Sequence, residues 1–198
     1  MKRINEIFQS LQGEGRNTGR AAVFIRFAGC NLRCPFCDTD FTDYREMSDE
    51  EIMSAIAAFP SRFVVITGGE PTLQADERLI GMLHDSGYEV AMETNGTRPV
   101  PAGVDWITVS PKVDFVGHAG RPAVMRCNEL KCVFGESHAT GEADVSDCGI
   151  EADYYYLQPC DTGDAERNSR ITKACIDYIC RHPRWRLSLQ THKLTGIR

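Results

Sequence analysis

The sequence feature that most limits the fold of this chain is a series of short apolar runs separated by longer amphipathic segments. Seven runs rich in β-branched or aromatic residues are typical of strands, and they lie at residues 22–27, 62–67, 88–94, 104–110, 128–134, 153–158 and 185–190. Several are apolar at nearly every position, which is typical of strands covered on both faces in a parallel sheet. The runs therefore predict a mostly parallel sheet with helices in its connections.

Three connections carry helix signals. A capping box of Ser48 and Glu51 begins one helix, which ends before Pro60. Apolar residues at helical spacing predict a second helix over about residues 75–86 and a third over roughly residues 164–181. The alternation of strands and helices predicts an α/β protein, either a βα-repeat barrel or an open parallel sheet.

Length and charge predict a single domain over residues 1–198 that does not bind nucleic acid. A chain of 198 residues that is 42% hydrophobic can bury a sizeable core. Its 22 Lys and Arg residues against 28 Asp and Glu give a formal charge of -6. Proteins that bind phosphate backbones usually carry a basic face, so nucleic acid is a poor candidate partner.

The N-terminus and the cysteine content predict a cytoplasmic location. No apolar run follows the first basic residues, and no stretch approaches the roughly 18 consecutive apolar residues of a membrane span. Nine cysteines are an odd number in a chain without a secretory signal, which argues against a disulfide framework. We expect a reducing compartment and no contact with a membrane.

Polar motifs follow five of the predicted strands where each strand ends. They are TGGEP at 67–71, ETNG at 93–96, SPK at 110–112, QPCD at 158–161 and QTHK at 190–193. Any one of them alone would be an ordinary turn. Because loops at the carboxyl ends of parallel strands build the active sites of βα folds, the five together predict one site.

Cys30, Cys34 and Cys37 form a compact group in the stretch GCNLRCPFCDTD. Iron–sulfur clusters held entirely by protein use four thiolates, and structural zinc also takes four ligands. Three thiols therefore either recruit a distant fourth ligand or leave one metal position open. The C-x-x-C of CPFC also occurs in zinc knuckles, whereas a redox dithiol lacks a thioredoxin-like context here. On spacing alone, an open iron–sulfur cluster and a zinc site both remain candidates.

The three cysteines, preceded by QGEG and followed by TGGEP, resemble the radical S-adenosylmethionine superfamily. The resemblance implies a partial (β/α) barrel with about six strands and about three flanking helices. It also implies a four-iron four-sulfur cluster on Cys30, Cys34 and Cys37, with S-adenosylmethionine chelating the fourth iron. The hard amino and carboxylate donors of that cofactor explain why a fourth thiol is not needed.

A longer series of motifs resembles one family within that superfamily, the 7-carboxy-7-deazaguanine synthases of the queuosine and deazapurine pathway. The matching stretches cover nearly the whole chain and include VITGGEPTLQ, METNGT, VSPK, NELK, YYLQP and RLSLQTHK. The resemblance implies a carbon–nitrogen lyase that converts 6-carboxy-5,6,7,8-tetrahydropterin to 7-carboxy-7-deazaguanine with loss of ammonia. A 5'-deoxyadenosyl radical would start the reaction. A flavodoxin- or ferredoxin-type electron donor, Mg²⁺ and a homodimer are also implied.

The resemblance, together with the chemistry of the side chains, predicts the site residues. Those predicted to contact S-adenosylmethionine are Gly69, Glu70, Glu93, Asn95, Ser110, Pro111, Lys112, Gln158, Pro159, Cys160 and Asp161. Those predicted to contact the pterin are Leu11, Gln12, Gly13, Glu14, Arg26, Thr67, Gln190, His192 and Arg198. The resemblance implies Thr39 as the ligand of Mg²⁺, although Asp38 and Asp40 are better donors by charge alone. No residue is assigned as a general acid or base.

Three of these residues deserve a chemical reason or a qualification. The Glu70 carboxylate can accept hydrogen bonds from the ammonium of the cofactor. The Arg26 guanidinium presents paired donors to a carboxylate, and the predicted substrate carries one. Members of the family often end in proline, whereas this chain ends TGIR, so Arg198 departs from the family pattern.

Two other functions match part of the pattern. One is a radical enzyme of the same superfamily that activates a protein glycyl residue, and the other is a non-catalytic zinc or iron–sulfur module. QGEG together with QTHK favours the synthase, since the resemblance places both motifs around a pterin. Iron with acid-labile sulfide in the protein would exclude zinc as the native metal.

Overall fold

One mixed sheet organises the chain in the computed structural model, which describes residues 1–37 and 43–198. Within these residues it has nine strands: β1 (Lys2–Leu11), β2 (Ala21–Phe27), β3 (Arg45–Met47), β4 (Phe63–Gly68), β5 (Glu89–Thr94), β6 (Trp106–Val109), β7 (Arg126–Phe134), β8 (Glu151–Pro159) and β9 (Arg186–Leu187). The strand order is β3-β1-β2-β4-β5-β6-β7-β8-β9.

The sheet is parallel from β2 to β9 and antiparallel at the edge formed by β1 and β3. The seven predicted strands correspond to β2 and to β4 through β9, so the mostly parallel α/β architecture is confirmed. The expected number of about six strands is too low. The sequence KRINEIFQSL of β1 mixes polar and apolar residues without strict alternation, and its long antiparallel pairing with β2 defines it as a strand.

Six α-helices flank the sheet within the described residues. They are α1 (Asp49–Ile56), α2 (Glu77–Asp85), α3 (Val113–Val116), α4 (Glu136–Thr140), α5 (Ala165–Arg181) and α6 (Thr191–Thr195). The three predicted helices are α1, α2 and α5, and both hydrogen bonds of the Ser48–Glu51 capping box are present. The other three have only four or five residues, too few to show a helical period.

Side chains of the central strands alternate between two apolar layers. On β2 and β4, Ile25 and Ile66 lie in a layer with Leu79 of α2, whereas Phe24 and Val65 lie in the layer on the other face. Full burial of each aliphatic side chain contributes about 1.5–3 kcal/mol. Burial on both faces explains why these strands are apolar at nearly every residue.

Lys2 forms a buried ion pair that joins β1 to α1. Its ammonium lies 2.5 Å from Asp49, and the two side chains are 9% and 4% exposed. Lys2→Met leaves the buried carboxylate of Asp49 with Arg78 as its remaining charged partner. We expect the free energy of unfolding to fall by about 3 kcal/mol, as measured by urea denaturation followed by circular dichroism.

The matched control is Arg126→Gln, which breaks an ion pair between Arg126 and Asp153 whose side chains are 54% and 41% exposed. Solvent screens such pairs, so we expect a much smaller loss of stability than for Lys2→Met. Equal losses for the two variants would contradict the role given to burial of Lys2.

In the part of the chain that the structure describes, no helix combines the length and the apolar character that crossing a membrane requires.

Candidate active site

The layer that contains Phe24 and Val65 becomes polar towards the carboxyl ends of the strands. Arg26, Thr67, Glu93, Lys131 and Gln158 project from β2, β4, β5, β7 and β8 into one cavity. Arg26 is the register partner of Thr67 on the neighbouring strand. Because side chains alternate along a strand, every second residue faces this cavity of about 300 Å³. It lies where βα folds place their active sites.

The cavity brings together most of the residues that the sequence predicted for the site. Those in its lining are Leu11, Gln12, Gly13, Glu14, Arg26, Cys30, Cys34, Cys37, Thr67, Gly69, Glu93, Asn95, Ser110, Lys112, Gln158, Pro159, Cys160, Asp161, Gln190, His192 and Arg198. Pro111 is buried and is not part of the lining, and its contact with the cofactor stays a prediction. The predicted magnesium ligand Thr39 lies outside the described residues.

Cys30, Cys34 and Cys37 line the cavity and are not in disulfides. The backbone amide of Cys37 donates to the carbonyl of Cys34 at 3.2 Å, which turns the loop back on itself. Burial raises the pKa of the Cys30 and Cys34 thiols, and the charges of the neighbouring cysteines raise it further. Lys112 acts in the opposite direction and favours both thiolates.

The residues on this wall suit an iron–sulfur cluster. Among the described residues, no three His, Cys, Asp or Glu side chains converge as a single metal ion requires. The three thiols are instead spread along a turn, with the cation of Lys112 near them and open space on the cavity side. Such clusters use sulfur donors, so Cys30, Cys34 and Cys37 would hold the cluster through their thiolates. The donor set therefore fits the cluster that the sequence implies.

The TGGEP loop is held against the start of the cysteine loop by its backbone. The amide of Gly69 donates to the carbonyl of Phe27 at 3.0 Å, and the amide of Glu70 donates to the carbonyl of Gly29 at 2.9 Å. Gly68 has a φ of +122°, and a Cβ there would overlap the backbone oxygen of Phe27. Only glycine fits at position 68, so the close approach of the two loops explains this part of the motif.

Glu70 joins two of the loops at the strand ends. Its carboxylate is fully buried and accepts hydrogen bonds from the hydroxyls of Thr72 and Thr94, both at 2.7 Å, and from the amide of Asn95 at 2.8 Å. It does not line the cavity. Glu70 therefore ties the TGGEP loop to the ETNG loop, and its contact with the cofactor stays a prediction.

Two charged residues near the cysteine loop are fixed by hydrogen bonds. The Lys112 ammonium donates to the hydroxyl and the carbonyl of Ser110, both at 2.6 Å, and burial lowers the pKa of Lys112. Asp161 accepts from Lys193 at 2.8 Å and from Asn168 at 2.7 Å. These hydrogen bonds lower the pKa of Asp161 to about 2. This wall thus presents both a cation and a carboxylate to a ligand.

Amide and carboxylate side chains pair with one another in another part of the cavity lining. Gln12 donates to Glu93 at 2.9 Å, and Gln190 donates to Glu14 at 3.0 Å. The hydroxyl of Thr67 donates to the second oxygen of Glu93 at 3.3 Å. These contacts join β1, β4, β5 and the C-terminal segment around an acceptor-rich surface that suits N–H donors of a ligand.

Two arginines share one carboxylate at the cavity mouth. The Arg26 guanidinium donates to Glu6 at 2.8 Å, and Arg198 donates to the other oxygen of Glu6. Both guanidinium groups lie over the ring of Phe8, at 5.9 Å and 5.1 Å from its centre. Arg26 therefore forms an ion pair with Glu6, and both Arg26 and Arg198 also line the cavity.

Gly13 lies directly against the imidazole of His192. The amide and the hydroxyl of Thr191 both donate to the carbonyl of Gly13 at 2.9 Å, which holds the two segments together. In Gly13→Ala, the added methyl group would overlap the His192 ring and displace it from the cavity. We expect kcat/KM for the substrate to fall at least about tenfold, a change of roughly 1.4 kcal/mol, in a steady-state assay.

Gly81→Ala is the control for this substitution. Gly81 lies in α2, and no atom lies within 4 Å of an added Cβ. The change should leave turnover unaltered and stabilise the protein by roughly 0.5–1 kcal/mol. Wild-type kinetics in Gly13→Ala would mean that the position of His192 does not matter for turnover.

Lys131 and Lys193 line the cavity but were not predicted from the sequence. Lys131 belongs to the NELK motif, and its inward direction follows from the alternation along β7 once that strand is placed. Lys193 is the last residue of QTHK. The aromatic rings of Phe8 and Phe24 also line the cavity. Their centres lie 5.0 Å apart in a stacked arrangement, which depends on the pairing of β1 with β2.

Comparison with known proteins agrees with this geometry. The radical SAM superfamily profile matches residues 24–113. A 7-carboxy-7-deazaguanine synthase of Bacteroides thetaiotaomicron is 46% identical, with all of both chains covered. One from Bradyrhizobium diazoefficiens is 45% identical, with 98% of both chains covered.

Solved structures show the same relationship. The crystal structure of QueE from Escherichia coli has a TM-score of 0.73 and 31% identity, covering 95% of this chain and 93% of that one. Streptococcus suis SuiB bound to precursor peptide SuiA shares the fold, with a TM-score of 0.52 and 15% identity over 80% of this chain and 46% of that one. The predicted partial barrel of the radical SAM type is confirmed. From its full-length identity to curated relatives, the chain belongs to the family of 7-carboxy-7-deazaguanine synthases, which are radical SAM lyases.

Proposed function

We propose that this protein converts 6-carboxy-5,6,7,8-tetrahydropterin to 7-carboxy-7-deazaguanine. Loss of ammonia accounts for the whole difference between the two compounds, so the reaction needs no net oxidant or reductant. The observation that carries the proposal is a single cavity lined by the three clustered cysteines together with Arg26, Glu14 and Glu93. Membership of the family supports the same substrate and product.

The cysteine wall is the proposed site of the four-iron four-sulfur cluster and of S-adenosylmethionine. When bound, these two supply the one-electron cleavage that starts the reaction. Cys30, Cys34 and Cys37 would hold the cluster. The proposed contacts to S-adenosylmethionine in the cavity lining are Gly69, Glu93, Asn95, Ser110, Lys112, Gln158, Pro159, Cys160 and Asp161.

The arginine and amide walls are the proposed site of the pterin. Arg26 would bind its carboxylate through paired N–H donors, because a guanidinium matches the geometry of a carboxylate. Gln190 and His192, on the C-terminal segment, would contact the ring system. Mg²⁺ bound by Thr39 is part of the proposal on the family resemblance alone.

The partners and the location are also proposals. A flavodoxin- or ferredoxin-type protein would deliver the electron, and the enzyme would act as a homodimer of single-domain chains in the cytoplasm. Support comes from the resemblance for the partners, and from the cysteine usage for the location.

Anaerobic turnover tests the proposed function. The protein is reconstituted with iron and sulfide and given reductant, Mg²⁺, S-adenosylmethionine and 6-carboxytetrahydropterin, and the products are followed by mass spectrometry. Formation of 7-carboxy-7-deazaguanine supports the proposal. Formation of 5'-deoxyadenosine without that product would retain the radical chemistry and refute the substrate.

A further inference from the structure

Lys131 is a buried cation on the cavity wall that has no role in the proposal so far. It projects inward from β7, and its side chain is 6% exposed. The ammonium donates a hydrogen bond to Glu14 and lies 3.7 Å from a carboxylate oxygen of Glu93. Burial of an ammonium is costly unless it is paired, so the two carboxylates account for its being there.

The two carboxylates are held from their other sides by neutral donors. Gln190 donates to Glu14, whereas Gln12 and Thr67 donate to Glu93. The neutral donor to Glu14 therefore comes from a different segment of the chain from the neutral donors to Glu93. Lys131 is the one described cation that contacts both of them.

Charged groups from the surrounding elements set the protonation of this cluster. Burial alone would raise the pKa of Glu14, but the charge and the hydrogen bond of Lys131 lower it to about 2. Burial disfavours the ammonium of Lys131, yet the charges of Glu14, Glu93 and Glu129 raise its pKa. Burial raises the pKa of Glu129 against the opposing charge of Lys131. Lys112 faces the cluster as a further cation.

His192 of α6 also faces Glu14 and favours its ionised form. Its contribution is smaller than that of Lys131, since Lys131 acts through both a charge and a direct hydrogen bond. Glu14 thus depends mainly on Lys131 for its charge.

We propose that Lys131 is a positioning residue, which holds the carboxylates of Glu14 and Glu93 in place so that Glu14 presents its oxygens as acceptors to the N–H groups of the pterin. The inference rests on the proposed function. An ionised carboxylate offers only acceptors, whereas a protonated one turns a donor towards the ligand. If the cation were lost and the carboxylate took up a proton, its O–H would meet an N–H of the heterocycle, and two donors cannot form a hydrogen bond. Proton donation by Lys131 is less consistent with its pairing, because its carboxylate neighbours hold the proton on the ammonium.

Lys131→Met removes the charge and keeps most of the volume. At neutral pH we expect kcat/KM for the pterin to fall about 100-fold, as for loss of a buried charge-assisted contact, mainly through KM. Substrate binding to the reconstituted enzyme, measured by anaerobic calorimetry, should weaken by a similar factor. Lys131→Arg should keep both within about tenfold, because it retains the charge.

The pH profile separates positioning from a purely structural role. In the wild type Glu14 stays ionised throughout the working range, since its pKa is about 2. In Lys131→Met the pKa of Glu14 rises because only Gln190 and His192 then oppose the effect of burial, so its carboxylate takes up a proton as the pH falls. We expect kcat/KM of the variant to decline from about pH 8 to about pH 6 while the wild-type value changes much less.

Controls keep the test decisive. Lys173→Met removes an exposed lysine on α5 and should leave the kinetics unchanged. If Lys131→Met folds poorly, the double variant Glu14→Gln/Lys131→Met replaces the ion pair by neutral groups and should restore folding while lacking the acidic decline. The proposal is overturned if Lys131→Met binds the pterin normally. It is also overturned if Lys131→Met loses activity equally at every pH and has a reduced cluster content. Failure of the wild type to make the product refutes the proposed function instead.

Discussion

Replacement of any one of Cys30, Cys34 or Cys37 by alanine is expected to abolish turnover. All three thiols line the same cavity wall. An iron–sulfur cluster held by three protein thiolates would lose one of its three protein ligands when a thiol is removed. Product formation should fall below detection. Iron and acid-labile sulfide content and the visible absorption of the reconstituted protein measure the cause directly.

Cys180→Ala is the matched control for the three thiol variants. Cys180 is an exposed cysteine near the end of α5 and does not line the cavity. It should bind the same amount of iron and sulfide as the wild type and turn over at the same rate. Full activity in Cys34→Ala, with the control behaving as expected, would refute the cluster assignment.

Arg26→Ala is expected to separate substrate use from cofactor cleavage. The guanidinium lines the cavity and pairs with Glu6, and the proposed function assigns it to the carboxylate of the pterin. Charge-assisted hydrogen bonds contribute roughly 1.5–3 kcal/mol each, so loss of a pair to the substrate carboxylate should lower kcat/KM at least about 100-fold. Slow formation of 5'-deoxyadenosine without substrate should continue near the wild-type rate. Mass spectrometry of both products measures the two activities together.

Arg20→Ala provides the comparison for Arg26. Arg20 is an exposed arginine paired with Glu89, and it does not line the cavity. Its removal should leave kcat/KM unchanged. Unaltered substrate dependence in Arg26→Ala would remove Arg26 from the substrate site and leave its ion pair with Glu6 as its role.

Local patterns in the sequence were sufficient for most of the scaffold. Apolar runs marked β2 and β4 through β9, because burial on both faces makes such strands apolar at most positions. The capping box at Ser48 marked the start of α1 for an equally local reason. The motifs at the strand ends predicted a common site, and the cavity contains most of their residues.

Residues whose roles depend on distant parts of the chain were not predictable in this way. Glu70 appeared suited to the cofactor, yet its carboxylate is used by Thr94 and Asn95 of the next strand and loop. Lys131 gave no signal by itself, because its importance comes from Glu14, 117 positions away in the sequence.

The sequence by itself determined where seven of the strands and the three longest helices lie along the chain, and its motifs identified the family. Only the tertiary structure decided that β1 pairs antiparallel with β2, that Glu6 joins Arg26 to Arg198, and that Lys131 pairs with Glu14. The physical reason is that periodicity and capping act over a few neighbouring residues. Charge pairing and antiparallel register depend on which distant segments folding brings into contact, and on how much solvent that contact excludes.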